Sequence, residues 1–308
     1  MGLDVALGRP PVTAGERSDL VLAFARTLYV NGQATEDTVR AVERLSRAVG
    51  LRAMLVVRWG ELKLVADDGH GSLIAVAQAD PAGVEMDRVA STMRAIDDIA
   101  CGRLSPDVAM KTIGAIMRAP PAPTWLFAFA AAAGAVALAV IFGVQHSAAA
   151  ALIFLSAGTA GLLRRALAQF SSNLFLQPFC AALLAGVVGA VAVRFDLSSS
   201  LRLVAVCPCM VLVPGPHVLN SALDVISGRI HLGVARLAYA TMVIVAIVTG
   251  LLLGLALLGV SLPVDPVGRG VPLWQDVIAA GIAVAAYSVF FSTPLSRPAK
   301  MPLKSAPV

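Results

Sequence analysis

A chain of 308 residues in which 58% are hydrophobic and only 14% are charged has a mean hydropathy of +0.81. This composition excludes an ordinary soluble domain and indicates an α-helical polytopic membrane protein. The net charge of +5 does not indicate nucleic-acid binding, because the basic excess lies in the apolar part of the chain and no basic aromatic patch accompanies it.

The distribution of charge divides the chain near residue 119. Up to Ala119 there are 14 Lys/Arg and 15 Asp/Glu residues, whereas from Pro120 onward there are 10 and 4. The first residues lack the basic start and long apolar core of a secretory signal, which favours a cytoplasmic location for the first domain. We predict a disordered N-terminus (1–18), a cytoplasmic α+β domain (19–119), a transmembrane domain (120–293) and a cytoplasmic tail (294–308).

The first domain is predicted to consist of two helices, an antiparallel β-meander and two further helices, in that order along the chain. A helix is expected over 20–31, and a second follows Thr35, which can cap it, and ends at Gly50. Three short strands are expected over 52–58, 62–66 and 72–78, followed by a third helix from about 86 and a fourth that opens at Ser105-Pro106.

No motif in this domain predicts an enzyme active site or a cofactor. Asp67, Asp68 and His70 could suggest a metal site, but an acidic, glycine-rich turn is more often a solvated hairpin loop. The chain lacks a phosphate-binding GxxxxGK[ST] loop and a strand-linked GxGxxG. We therefore expect neither catalysis nor ATP-driven work.

Six apolar runs follow Pro120 and are long enough, or nearly so, to span a membrane: 124–144, 147–163, 174–193, 201–219, 238–260 and 273–291. With the first domain in the cytoplasm, the inner loops carry Arg164, Arg165, Arg229, Arg236, Arg297, Lys300 and Lys304. The outer loops carry Arg194, Arg202 and Arg269. This distribution agrees with the positive-inside tendency.

The stretch 202–236 differs from the other runs because prolines and polar residues interrupt it. Pro208, Pro214 and Pro216 each remove a backbone donor, so a helix through them is expected to break or bend. Irregular backbone at membrane depth persists only where it is packed in protein or lines a polar cavity. We interpret this stretch as the working part of the protein.

Five polar residues follow at helical spacing: His217, Asn220, Asp224, Ser227 and His231. An amphipathic helix lying at the membrane interface would also explain this stripe. A functional role is favoured by Asp224, the only acidic residue between Asp196 and Asp265, because a carboxylate in hydrocarbon costs about 2.5–3.5 kcal/mol.

The four cysteines are interpreted as reduced thiols. Cys207-Pro208-Cys209 could bind a soft metal, since thiolates favour copper(I) and zinc. Two sulfurs are too few for a closed site, and buried cysteine usually packs as a small apolar residue. We expect no metal.

The order of parts, with PGPHVLNSALDVISGRIHLGVARL after the break, resembles the threonine/serine exporter family. The motif of that family falls on Pro214, Gly215, Asn220, Asp224, Gly228, Gly233 and Arg236. The stretch 34–39 and the following RAVGLRAMLVV resemble the first helix and strand of the family, and the resemblance covers about residues 20–295. It implies a secondary exporter of small hydrophilic metabolites, either amino acids or organic acids, that is driven by the proton gradient.

The resemblance also implies a possible need for a partner. Fused members of the family carry two membrane halves of about five helices each, whereas this chain carries one half and a sixth span, and a split two-subunit branch is associated with dicarboxylate efflux. A truncated chain, a second membrane subunit and a homo-oligomer are all open.

We predict a multi-pass exporter component of the bacterial cytoplasmic (inner) membrane that contacts lipid and a small-molecule substrate and requires no cofactor. Asp224 is the expected proton-coupling group, and Arg236 is its ionic partner or the counter-charge of a substrate carboxylate. Two alternatives are a half-transporter for small dicarboxylates and a membrane-tethered regulatory subunit. The substrate and proton pathway is expected to include Pro214, Gly215, Pro216, Asn220, Asp224, Gly228 and Arg236.

Overall fold

The computed structural model describes residues 13–67, 72–144, 146–171, 173–195, 201–261 and 271–292. In this part of the chain, an N-terminal unit of helices and strands (residues 14–118) precedes a bundle of apolar helices (residues 124–290). The predicted fold class is confirmed. The chain is mostly helical, with five or six candidate membrane spans and a small antiparallel sheet near the N-terminus.

The helices of the N-terminal unit are α1 (Ala14–Val30), α2 (Thr35–Ala48), α3 (Met86–Ala100) and α4 (Pro106–Arg118). Helix α1 starts earlier than predicted because Thr13 and Glu16 form a capping box. The N–H of Glu16 donates to the Thr13 hydroxyl at 3.2 Å, and the N–H of Thr13 donates to the Glu16 carboxylate at 2.8 Å. Residues 14–18, predicted to be disordered, are therefore helical, and residues 1–12 lie outside the described residues.

The predicted cap of α2 is wrong. Thr35 is the first helical residue, and Ala34 occupies the cap position without a side-chain hydrogen bond to the helix. The hydroxyl of Thr35 instead accepts a hydrogen bond from Arg236 in the bundle. The end of α2 is as predicted, because Gly50 follows it with φ +73, a conformation that favours glycine.

Strands β1 (Arg52–Arg58), β2 (Gly60–Asp67) and β3 (Ser72–Ala79) form the predicted antiparallel meander in the order β1-β2-β3. The alternation of side chains in β2 places Leu62 and Leu64 in the core, where both are fully buried. Helices α1 and α2 contact the sheet and share that core with α3 and α4. The acidic turn at 68–71 lies outside the described residues, so the prediction about Asp68 and His70 stays a prediction.

The helices of the bundle are α5 (Thr124–Ile141), α6 (Ser147–Phe170), α7 (Leu176–Arg194), α8 (Leu201–Met210), α9 (Gly215–Ile226), α10 (Ile230–Ala256) and α11 (Leu273–Phe290). Among the described residues, five of them are long and apolar enough to cross a membrane, and the bent pair α8 and α9 makes a sixth candidate span. Helix α6 extends past the predicted end at residue 163, and α10 begins before the predicted start at residue 238.

Glycines allow close helix contacts between α7 and α10 in the bundle. A Cβ at Gly254 of α10 would meet the carbonyl oxygen of Leu183 in α7, and one at Gly186 would meet the carbonyl of Leu251. Only glycine allows the two backbones to approach so closely. Helices α7 and α10 therefore pack with their backbones in close contact.

The N-terminal unit rests on the end of the bundle that contains the break between α8 and α9. Helix α2 contacts α9, and β1 contacts α10. The backbone N–H of Met86, at the start of α3, donates to the carbonyl of Phe291 at 2.9 Å. These contacts bring segments far apart in sequence to one side of the broken helix.

Candidate functional site

The helix break lies at residues 211–214, between α8 and α9. The axes of the two helices differ by 56°. Pro214 caps α9 with φ −78 and ψ 59, and Pro216 lies in the first turn, where its missing N–H is tolerated. Pro208 is different, because α8 continues through it to Met210. The predicted break of this region is therefore confirmed next to Pro214 and Pro216, whereas α8 is not interrupted at Pro208.

A cavity of about 420 Å³ opens beside this break. Its walls come from the loop at 82–85 of the N-terminal unit, from the break itself, and from the adjoining parts of α5, α6, α7, α10 and α11. The polar and charged side chains of the wall are Glu85, Arg164, Arg165, Gln177, His217, Tyr239 and Ser292. A cavity of this size suits a small solute.

The predicted site residues separate into three groups. Pro214 and Pro216 line the cavity. Asn220, Asp224 and Arg236 are buried outside this wall, and Asp224 and Arg236 belong to a buried network. The two remaining residues are glycines at the ends of α9. Gly215 is the first residue of α9, and Gly228, with φ +77, lies in the turn between α9 and α10.

The buried network is centred on Arg236, whose side chain is fully buried. Its Nε lies 2.9 Å from Oδ2 of Asp224, within ion-pair distance but without the alignment of a hydrogen bond. Its Nη2 donates to the hydroxyl of Thr35 at 3.2 Å. The guanidinium carbon lies 5.2 Å from the ring centroid of Tyr29, a cation–π contact.

Two further contacts join α9 and α10 to the N-terminal unit. The side-chain amide of Asn220 donates to the carbonyl of Gly32 at 3.2 Å. At the surface, Arg229 forms an ion pair of 2.6 Å with Glu36 of α2. The polar residues predicted to line a pathway therefore form a joint between the bundle and the N-terminal unit.

Burial and the neighbouring arginines shift the pKa values of Tyr29 and Glu36 at this joint. Burial raises the pKa of Tyr29 to about 12, although the nearby Arg236 acts in the opposite direction. The hydrogen bond from Arg229 lowers the pKa of the Glu36 carboxyl. At neutral pH the Tyr29 hydroxyl is therefore protonated and Glu36 is ionised.

The predicted stripe of five polar residues is divided between two helices. His217 and Asn220 lie on the buried face of α9 with Asp224, but Ser227 and His231 are exposed because α9 ends at Ile226. The ring of His217 packs edge-on against Tyr239 at 5.0 Å.

Helices α9 and α10 pack closely through small and polar residues. The buried Ser221 donates to the carbonyl of Gly233 at 2.7 Å. A Cβ at Gly233 would lie 2.5 Å from the side chain of Val225 and 2.9 Å from the carbonyl of Ser221. This close approach brings Asp224 within ion-pair distance of Arg236.

The sequence reasoning missed the arginines of the cavity wall. Arg164 and Arg165 were assigned to a loop after a span that ended at residue 163, but they lie within α6, which continues to Phe170. The residues that follow them, Ala166 to Gln169, are good helix formers with no breaker, and this signal could have extended the helix. Tyr239 and Gln177 carried no such signal.

The cysteines of α8 pack in two different places. Cys207 belongs to the cluster between α5, α6 and α8, whereas Cys209 packs against α7 and α10. The thiol of Cys209 donates to the carbonyl of Ala205 at 3.4 Å. In the described ranges, no three potential metal ligands of the His, Cys, Asp or Glu type come together. These contacts favour a packing role.

Most of the chain is similar in sequence to known proteins. A family model described as "Putative threonine/serine exporter" matches residues 19–258. A curated relative, the "Probable threonine/serine exporter" of Mycobacterium tuberculosis (strain ATCC 25618 / H37Rv), is 24% identical over 241 residues, which cover 77% of this chain and 45% of the relative. The chain thus spans less than half the length of that relative. No solved structure matches this chain.

Proposed function

The chain belongs to the threonine/serine exporter family, and on that premise we propose that it exports small hydrophilic metabolites of the threonine and serine type. The observation that carries the proposal is the cavity of about 420 Å³ beside the break between α8 and α9. Helix breaks at membrane depth are typical of transporter binding sites, because the opened backbone has to be satisfied by protein or by a polar cavity. Pro214 and Pro216 are the predicted pathway residues that contribute to this wall.

The proposed location is the bacterial inner membrane, with the N-terminal unit in the cytoplasm. Arg164 and Arg165 lie at the end of the bundle that carries the N-terminal unit, since they share a cavity with its loop at 82–85. Arg229 contacts the same unit through Glu36. Basic residues at one end favour that end as the cytoplasmic one. The cavity would then open toward the cytoplasm and receive solute for export.

Proton coupling is proposed to act through Asp224. Its carboxylate forms a buried ion pair with Arg236, which also contacts Thr35. Protonation of Asp224 would remove the charge that holds Arg236 and would weaken the joint between α9, α10 and the N-terminal unit. In this proposal Asp224 does not bind solute, because it lies outside the cavity wall. It would instead change the position of the helices that line the wall.

A second membrane subunit, or a second copy of this chain, is part of the proposal. This chain aligns with only 45% of the length of its relative. The outward face of α11 also carries exposed apolar side chains, among them Trp274 and Val277, which either lipid or another helix could cover. A half-transporter for small dicarboxylates remains the alternative substrate assignment.

Reconstitution of the purified chain into liposomes tests the proposed function. We expect labelled threonine or serine to cross the membrane faster with the protein than without it, and faster still when a pH gradient is imposed. Transport of succinate in preference to both amino acids would support the dicarboxylate alternative. Absence of flux for all three solutes, alone and with a co-expressed second subunit, would contradict the export function and favour a regulatory subunit.

A further inference from the structure

Arg164 and Arg165 are held in the cavity wall by a pair of stacked aromatic rings. Phe127 of α5 and Phe290 of α11 stack with their centroids 4.7 Å apart and their planes at 23°. The guanidinium carbon of Arg165 lies 4.5 Å from the ring centroid of Phe127, and that of Arg164 lies 5.5 Å from the ring centroid of Phe290. Each guanidinium is therefore positioned through an aromatic ring, which leaves its N–H donors unused.

Neither arginine has an anionic partner in the part of the chain that the structure describes. No ion pair or hydrogen bond there involves Arg164 or Arg165, although both side chains are half-buried in the wall of the cavity. Arg229 and Arg236, by contrast, are each paired with a carboxylate. Two unpaired cations side by side repel each other, and an anion bound between them would relieve that repulsion.

The shape of a guanidinium indicates which anion would fit. Its planar fork of N–H donors matches a carboxylate with two parallel hydrogen bonds, a geometry that a single ammonium group does not offer. Among the described wall residues, Glu85 on the loop of the N-terminal unit is the only carboxylate, so the arginines give the wall an excess of positive charge. One negative charge in the wall would also suit a solute that carries an ammonium group.

We propose that Arg164 and Arg165 form the binding site for the carboxylate group of the solute. This inference rests on the proposed export function and adds to it the residues that recognise the solute and the chemical group that they recognise. The stacked pair Phe127 and Phe290 positions the two arginines, and Glu85 selects between solutes that carry an ammonium group and those that carry a second carboxylate.

Binding measurements on the purified full chain test this proposal with L-threonine, L-threoninamide and succinate. The amide keeps the ammonium group and the side chain of threonine but lacks the carboxylate. We expect the double variant R164Q/R165Q to bind threonine at least about tenfold more weakly than the wild type, as loss of hydrogen bonds to charged groups predicts. Binding of threoninamide should stay unchanged. E85Q should weaken binding of threonine more than binding of succinate.

Controls separate a binding role from a structural one. R194Q removes an arginine at the opposite end of α7, outside the cavity wall, and should leave the affinity for threonine unchanged. R164K/R165K keeps both charges but removes the fork, so an intermediate affinity is expected. Thermal unfolding of each variant identifies those that fail to fold, in which case the single variants R164Q and R165Q replace the double one.

Several results would overturn the proposal. These are wild-type affinity for threonine and succinate in R164Q/R165Q, equal weakening for threonine and threoninamide, and no binding of any of the three solutes by the wild type. Loss of binding to vesicles of anionic lipid, with solute binding intact, would assign the arginines to the lipid headgroup instead.

The flux assay distinguishes this failure from failure of the export function. A chain that exports threonine with unchanged affinity after both arginines are replaced contradicts the binding site alone. A chain that binds threonine through the arginines but moves no solute contradicts export alone.

Discussion

The guanidinium of Arg236 lies 2.9 Å from the carboxylate of Asp224, with 0% and 3% of the two side chains exposed. The pair joins α9 to α10, and Arg236 reaches on to Thr35 of α2. Charges buried so deeply remain stable only while they are paired, because neither can recover its hydration. The pair therefore holds Arg236 in position for its contact with the N-terminal unit, beside the separate contacts of Asn220 with Gly32 and of Arg229 with Glu36.

Removing one partner of this pair should destabilise the protein strongly. We expect Arg236→Gln to lower the free energy of unfolding by about 3–5 kcal/mol, because it leaves Asp224 buried without its counter-charge. Denaturant unfolding of the detergent-solubilised protein measures this change. The control is Arg229→Gln at the partly exposed pair with Glu36, where a much smaller effect is expected. Equal effects of the two changes would contradict the central role of Arg236.

Asp224→Asn should separate transport from its pH dependence. The amide mimics a permanently protonated carboxyl, so we expect efflux of preloaded threonine or serine to lose its response to a pH gradient. Asp276→Asn, in α11 and outside both the network and the cavity wall, is the matched control. Efflux by Asp224→Asn at the wild-type rate and pH dependence would exclude proton coupling through this residue.

Gly233→Ala should disrupt the contact between α9 and α10. The added Cβ would lie 2.5 Å from Val225 and 2.9 Å from the carbonyl of Ser221, so the helices would have to separate. We expect a destabilisation of about 1–3 kcal/mol, as for other overpacked sites, measured by the midpoint of thermal unfolding. Gly281→Ala in α11 meets no atom within 4 Å and should be neutral or stabilising. A lower unfolding midpoint for Gly281→Ala than for Gly233→Ala would contradict the close contact between α9 and α10 at Gly233.

The prolines of the broken helix should differ in their effects on transport. Pro208 lies within α8, where alanine would restore a backbone hydrogen bond without altering the break. We therefore expect Pro208→Ala to keep the rate of efflux within about twofold, and Pro214→Ala to reduce it because Pro214 caps α9 at the cavity wall. A transport defect in Pro208→Ala as large as that in Pro214→Ala would contradict the position of the break.

The surface pair Glu36 and Arg229 should make docking of α2 sensitive to acid. Arg229 lowers the pKa of Glu36 from its ordinary value of 4.5, so the docked state favours the ionised carboxylate. The stabilising effect is complete above pH 4.5 and is lost as the pH falls through the lower pKa of the folded state. We expect the protection factors of the α2 amides, which correct for the intrinsic slowing of exchange in acid, to fall over that range in the wild type and less so in Glu36→Gln. Identical pH profiles would contradict the contribution of this pair.

Much of the fold could be predicted because its signals are local. The meander followed from alternating apolar residues, and the apolar runs and the proline-rich break located the bundle helices. The error at Thr35 arose because a distant contact competed with a local one. Thr35 resembled a helix cap, but its hydroxyl accepts a hydrogen bond from Arg236, 201 residues away in sequence.

The candidate site was predictable only in part. Local spacing correctly placed Asn220 and Asp224 on one buried face of α9, because helical periodicity determines which residues share a face. Local spacing could not indicate that this face contacts the N-terminal unit and α10 and does not line a cavity. The cavity arginines were missed because nothing in the sequence around Arg164 shows that α5 and α11 bring Phe127 and Phe290 against α6.

The sequence by itself determined the membrane class, the α+β N-terminal unit, the broken helix and the resemblance to an exporter family, because composition, periodicity and proline act over a few residues. Only the tertiary structure decided that Asp224 pairs with Arg236 away from the cavity and that Arg164 and Arg165 lie in its wall. The physical reason is that burial and charge pairing depend on the packing of helices that are remote in sequence, and close contacts at glycines such as Gly233 set that packing.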